Sequence, residues 1–214
     1  IADTQDNPGA GGNSDTVGML EALLGCSAKG AVLAILYDPE VAEAAHHAGE
    51  GHCFSAALGA KSGQPGQHPF EGKFCVERIG SGRFTATGPM WRGARMELGA
   101  MALLKVAHKT ADVRVIVSSR KFQAADQSIF RHLGLEPLEQ DILVLKSSVH
   151  FRADFQPIAA KIITAIAPGP NLADTRKFPY KNLRSGLRIQ PNGPRVLGPE
   201  TRAIGGYCSY GETE

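Results

Sequence analysis

No apolar run in the sequence approaches the roughly 20 residues needed to cross a bilayer, and no basic start with an apolar stretch behind it marks a secretory signal. Charge of one sign is not concentrated anywhere. The 23 basic and 21 acidic residues nearly cancel to a net +2, and the basic ones are spread along the chain, so it carries neither a nucleic-acid nor an anionic-membrane footprint. Cysteine is scarce: the four present (Cys26, Cys53, Cys75 and Cys208) lie far apart, with no C-x-x-C pair of the kind that builds a zinc module or a redox centre. The cysteine pattern therefore predicts reduced thiols and a cytoplasmic protein. Nucleotide loops of the G-x-x-x-x-G-K-[ST] or G-x-G-x-x-G type are missing, as are H-E-x-x-H and the G-x-S-x-G elbow. His46, His47 and His52, with Glu50 and Cys53 among them, lack metal-ligand spacing, since adjacent histidines point to different sides of a helix. No metal ligand is assigned to this chain.

What is present, 214 residues of which 43% are hydrophobic, suffices for one globular domain or two small ones with a sizeable core. Ile1-Ala2-Asp3 reads as the end of a strand that runs straight into a loop, an abrupt start that suggests a truncated amino-terminal end. Residues 7–13 form a Gly-rich loop by composition, and Ser14 or Asp15 is the expected N-cap of a helix that carries Val17, Leu20, Leu23 and Leu24 on one face and stops at Gly25. Ala31 to Leu36 reads as a buried strand, Pro39 opens a helix to about Ala48, and Phe54 to Leu58 reads as the next strand, a βαβ alternation. Lys73 to Thr87, around Gly80-Ser81-Gly82, suggests an antiparallel hairpin, followed by strands in Arg95 to Val106 and Val113 to Ser118. A helix is expected over Phe122 to Leu133, a strand over Asp141 to Lys146 and a last strand in Lys161 to Ile166. The fold class is thus α/β, a mixed sheet with βαβ units at both ends and an antiparallel, hairpin-rich middle. Residues 1–185 are expected to form the domain and 186–214 a Pro- and Gly-rich tail.

Two places could carry chemistry. A strand, a glycine turn and a helix start bring backbone N–H groups together and favour an anion, which makes Asp6, Asn7, Gly9, Gly11, Gly12 and Asp15 candidate substrate-binding residues. The competing reading is a tight connection whose Asp and Asn residues serve turns and caps. Beyond the strand that ends at Lys146, the cation of Lys146, the imidazole of His150 and the guanidinium of Arg152 lie within seven residues, where open α/β sheets collect ligands, and they are the candidate catalytic groups. Here the competing reading is a packed structural histidine. If the strands ending at Asp3 and Lys146 are parallel neighbours, His150 and Arg152 should lie beside the Gly9 to Gly12 loop.

Residues 2–16 (ADTQDNPGAGGNSDT), the Tyr37-Asp38-Pro39-Glu40 turn and residues 146–155 (KSSVHFRADF) together resemble the carboxy-terminal region of the MlrC (microcystinase C) family, over approximately residues 1 to 185. The resemblance implies a protein about twice this length whose amino-terminal half holds a zinc site of His, Asp and Glu ligands and gives metallopeptidase activity toward linearised microcystin peptides. On that reading the cofactor is zinc, with its ligands outside this chain. The partners are the amino-terminal metal-binding half and a small peptide or amide substrate, and a homodimer is left open. The alternative from another class is a non-catalytic structural or dimerisation module.

Overall fold

A computed structural model describes residues 1–197, which fall into two compact units, Ile1–Asn171 and one that begins at Leu172. In the first unit the chain runs through β1 (Ala2–Asp3), α1 (Gly18–Gly25), β2 (Ala31–Tyr37), α2 (Pro39–Ala48), β3 (Cys53–Leu58) and β4 (Phe70–Gly80). It continues through β5 (Arg83–Thr85), β6 (Arg95–Glu97), β7 (Met101–Val106), β8 (Val113–Ser118), α3 (Ser128–Arg131), β9 (Ile142–Leu145), α4 (Arg152–Phe155) and β10 (Thr164–Ala165).

Eight strands make one sheet in the order β10-β1-β9-β2-β8-β7-β4-β3, and β5 pairs with β6 in a small second sheet. From β10 to β8 the neighbours are parallel, and from β8 to β3 they are antiparallel. The α/β class with a mixed sheet is the one the sequence predicts. Its parallel part lies at the two ends of the chain and its antiparallel part in the middle. The unbroken apolar run of β2 reflects its position, because a strand paired on both sides and covered on both faces has no solvent face to mark with polar residues. Six of its seven residues are buried. Two apolar clusters line the faces of the sheet. One packs α1 and α2 against Leu33, Val115 and Phe74, and the other packs α3 and Phe155 against Ile35, Ile116 and Leu145.

Local chemistry explains the helix that the sequence placed well. Asp38 Oδ1 accepts from Val41 N at 3.1 Å, Pro39 occupies the first turn, and Gly49 follows the last residue of α2. Three expected elements differ. First, α1 starts at Gly18 without a side-chain cap, because Ser14 Oγ donates to Ile35 O and the Asp15 carboxylate is held by Ser62. Second, the hairpin around Gly80-Ser81-Gly82 is not formed. At Gly82 the chain leaves the large sheet, and β5 pairs with β6 while β4 pairs with β3 and β7. Gly82 has φ +68°, and a Cβ there would lie 2.1 Å from Gly99 O, so the crossing requires glycine. Third, the long helix expected over Phe122 to Leu133 shortens to Ser128–Arg131, because Gln123 and Gln127 bond instead to Ser147 and Asp154.

The cysteine expectation is also corrected. Cys53 and Cys75 form a disulfide between directly opposed positions of β3 and β4, which removes the ground for reading these thiols as reduced, while Cys26 is free and exposed. No helix among the described residues is long and apolar enough to cross a membrane. In the second unit, Asp174 caps the turn Thr175–Lys177 and pairs with Arg176, and an antiparallel bridge joins Arg188 to Arg195. Of the expected tail, residues 198–214 lie outside the described residues.

The disulfide spans a sequence separation of 22 at the edge of the sheet. Replacing both cysteines by serine should lower unfolding free energy by about 3 kcal/mol on a chain-entropy account. Urea denaturation without reductant checks this, and equal midpoints for the two proteins would refute it.

Candidate functional site

The site region begins where β1 and β9, parallel neighbours with Ala2 opposite Leu145, end together. Asp3 is the last residue of β1 and Lys146 the first after β9. The Lys146 ammonium sits 3.0 Å from Asp3 Oδ2, 2.8 Å from Asp6 Oδ2 and 2.8 Å from Thr16 O, with Thr16 Oγ1 at 3.2 Å. All three ionisable side chains are fully buried, with 0% exposure. Burial alone would lower the pKa of the amine, but the Asp3 and Asp6 carboxylates overcome it and raise the Lys146 pKa above the ordinary lysine value. Asp3 moves the other way for a carboxylate. Its pKa is raised, first by burial, which the Lys146 charge only partly offsets, and further by the neighbouring Asp6. Its Oδ1 is buried with no hydrogen-bond partner.

Asp6 does more than pair with lysine. Its Oδ1 accepts from Ser14 N at 2.7 Å, and its Oδ2 accepts from Thr16 N at 2.8 Å and Thr16 Oγ1 at 2.9 Å. It therefore brackets the loop from behind. The loop itself is a 3-10 turn, Pro8–Ala10, with Asn7 as its cap. Gly9 N donates to Asn7 Oδ1, Ala10 N and Gly12 N to Asn7 O, and Gly11 N to Pro8 O. Every N–H from Gly9 to Gly12 is thus consumed inside the loop, and none is left for an anion. The glycines are needed for geometry. Gly11 has φ +92°, and a Cβ on Gly12 would lie 2.7 Å from the Asn7 backbone.

These contacts correct much of the sequence-based site. Lys146, expected as a catalytic cation, is a buried tie between segments. Asp6, Gly9, Gly11 and Gly12 shape the loop and do not offer free donors, and Asp15, 2% exposed, accepts from Ser62 N and Oγ at 2.8 and 2.9 Å. Asn7 is mostly internal too, with its Nδ2 donating to Ser148 Oγ at 3.0 Å. Arg152 opens α4, and its guanidinium lies 5.4 Å from the Phe151 ring centre.

His150 is different. It is exposed, and its Nδ1 lies 3.1 Å from Gln123 Nε2 and 3.3 Å from Gln123 Oε1. Gln123, only 5% exposed, also donates from Nε2 to Ser147 Oγ at 2.8 Å. Its Oε1 packs so closely on the glycine loop that a Cβ at Gly9 would lie 2.3 Å from it. His150 therefore stands beside the loop, as the parallel pairing of the two strands predicts, with Gln123 between them. Val149, 63% exposed, adds an apolar neighbour. No sequence signal marks Gln123, which sits in a stretch that reads as helix and is drawn out instead into a connection from β8 to α3.

Among the described residues, no group of three or more His, Cys, Asp or Glu side chains is placed to hold a metal ion. His46, in the expected non-metal stretch, bonds through Nε2 to Met101 O at 3.0 Å. The paired carboxylates of Asp3 and Asp6 already enclose the Lys146 ammonium, so these residues do not fit a zinc ion.

This chain belongs to the MlrC family: the family described as MlrC C-terminus matches residues 1–182. It is similar to Microcystinase C of a Sphingomonas species, with 26% identity over 163 residues that cover 76% of this chain and 31% of that protein. It is also similar to the crystal structure of a candidate metallopeptidase from Mesorhizobium sp. BNC1, with a TM-score of 0.69 and 26% identity over 79% of this chain and 33% of that one. The chain thus spans about a third of the length of these relatives.

Lys146→Met keeps much of the volume but leaves two buried carboxylates without their cation. It should destabilise the protein by about 3–5 kcal/mol. Denaturant unfolding measures this, and a loss below about 1 kcal/mol, the scale of an exposed pair, would contradict the role given to Lys146.

Proposed function

We propose that this chain is the carboxy-terminal part of a zinc-dependent hydrolase of the MlrC type, with its metal ligands in another part of the protein, and that it acts on a small peptide or amide substrate. Family membership and the similarity to Microcystinase C and to the Mesorhizobium protein support the hydrolase class. The observation that carries a role for this chain in the reaction is the exposed imidazole of His150, held by a buried amide at the carboxyl end of a parallel strand pair, where open α/β sheets bind ligands. Lys146, Asp6, Asn7, Asp15 and the loop glycines then serve the reaction by fixing the floor on which His150 stands, and Arg152 and Val149 flank it. A purely structural or dimerisation module accounts for the buried groups, but it leaves an exposed histidine with a dedicated buried partner unexplained.

In the full-length protein, His150→Ala should reduce turnover of a linearised microcystin peptide by about 10²-fold or more, the usual scale for a group that moves a proton or stabilises developing charge. The thermal midpoint should change little, because the side chain is exposed. Turnover per folded molecule equal to wild type would end the assignment. A large drop in thermal midpoint with normal specific activity would favour the structural reading.

A further inference from the structure

His150 Nδ1 lies within hydrogen-bond distance of both ends of the Gln123 amide, and the two contacts have opposite consequences. If Nε2–H of the amide donates to Nδ1, the imidazole proton sits on its own Nε2. If the amide Oε1 accepts from Nδ1–H, the imidazole Nε2 is bare. A neutral imidazole is a donor at one nitrogen and an acceptor at the other, so the partner of one decides the chemistry of the other.

Gly9 discriminates between them. The amide end that faces its Cα is so close that a Cβ there would lie 2.3 Å away. The end that faces Gly9 is the oxygen Oε1, which receives a weak Cα–H contact there, whereas an NH₂ would set its hydrogens against those of the Gly9 Cα. With Oε1 against Gly9, the amide nitrogen faces both Ser147 Oγ at 2.8 Å and His150 Nδ1 at 3.1 Å, and its two hydrogens serve both. Ser147, fully buried, accepts one of them.

We propose that Gln123 is a positioning residue that fixes His150 as the Nε2–H tautomer, so that the imidazole presents a hydrogen-bond donor to the acyl oxygen of the substrate. Among the described residues nothing bonds to His150 Nε2. The inference rests on the proposed hydrolase reading for its consequence but not for the tautomer itself. A donor in this place suits a carbonyl or a developing oxyanion, and a bare nitrogen would suit a water proton or a metal. His150 is thereby assigned to charge stabilisation and not to general-base work. Glycine at position 9 is part of the device, because any side chain there would displace the amide oxygen.

Nitrogen NMR of the full-length protein labelled with ¹⁵N-histidine, with His150→Ala used to assign the signals, should show at alkaline pH a protonated Nε2 and a bare Nδ1. Gln123→Glu places a carboxylate against Nδ1, and it should reverse the two nitrogens and lower kcat for the linearised microcystin peptide by about 10²-fold with little change in KM. Gln123→Leu, which removes the polar partner, should populate both tautomers and give an intermediate kcat. A wild-type signal with Nδ1–H would overturn the inference whatever the activities, and so would a folded Gln123→Glu enzyme with reversed nitrogens and wild-type kcat. An Nε2–H signal together with normal turnover in His150→Ala would uphold the tautomer and remove the proposed function, so the two failures are distinguishable.

Discussion

A lysine ammonium buried between two carboxylates holds the sheet edge together. Lys146 follows β9, Asp3 ends β1, and Asp6 and Thr16 belong to the connection from β1 to α1, so one charged group ties the end of β9 to a segment 130 to 143 residues earlier in the chain. Such a group is costly to bury, and its attraction to the carboxylates offsets that cost only when the geometry is close and the remaining hydrogen-bond capacity is met. Lysine meets these terms, with four acceptors around it. Asp3 does not: one oxygen is unpartnered, and burial, with the nearby Asp6 charge, raises its proton affinity.

Everything at the candidate site follows from that fixed floor. Because Asp6 is held from below by lysine, it can receive Ser14 N and Thr16 N, and the intervening glycine turn closes on itself through Asn7. Because the turn is closed, it offers no free N–H groups, but it presents the bare Cα of Gly9 as a flat wall. Gln123 rests on that wall, reaches Ser147 beside Lys146, and meets His150 at the rim. A chain of contacts therefore runs from a fully buried ion trio to one exposed imidazole, and each step restricts the next.

The sequence makes the architecture legible where local chemistry and tertiary demand agree. The apolar run of β2 and the Asp38-Pro39 start of α2 are examples: burial on both faces and capping are properties of a few adjacent residues. Where a residue serves a distant partner, the local signal misleads. Ser14 and Asp15 look like helix caps but bond to Ile35 and Ser62, and Phe122 to Gln127 looks helical but is drawn out by Ser147 and Asp154. Lys146 looks like a catalytic cation because it ends a strand in an α/β sheet, and only the contact with Asp3 and Asp6 reveals it as buried. His150 is the candidate whose position was legible from topology, since parallel neighbours must open on the same edge. Gln123 was not, because an amide that acts through a histidine has no spacing rule.

The most direct measurement is a crystal structure of the full-length protein with a non-hydrolysable analogue of a linear peptide bound. The account places an acyl oxygen of the analogue within about 3 Å of His150 Nε2, the ordinary range for an N–H to oxygen hydrogen bond, with Gln123 still bonded to Nδ1. An analogue seated elsewhere, with His150 left facing solvent and the Gln123 amide turned away from it, would contradict the account.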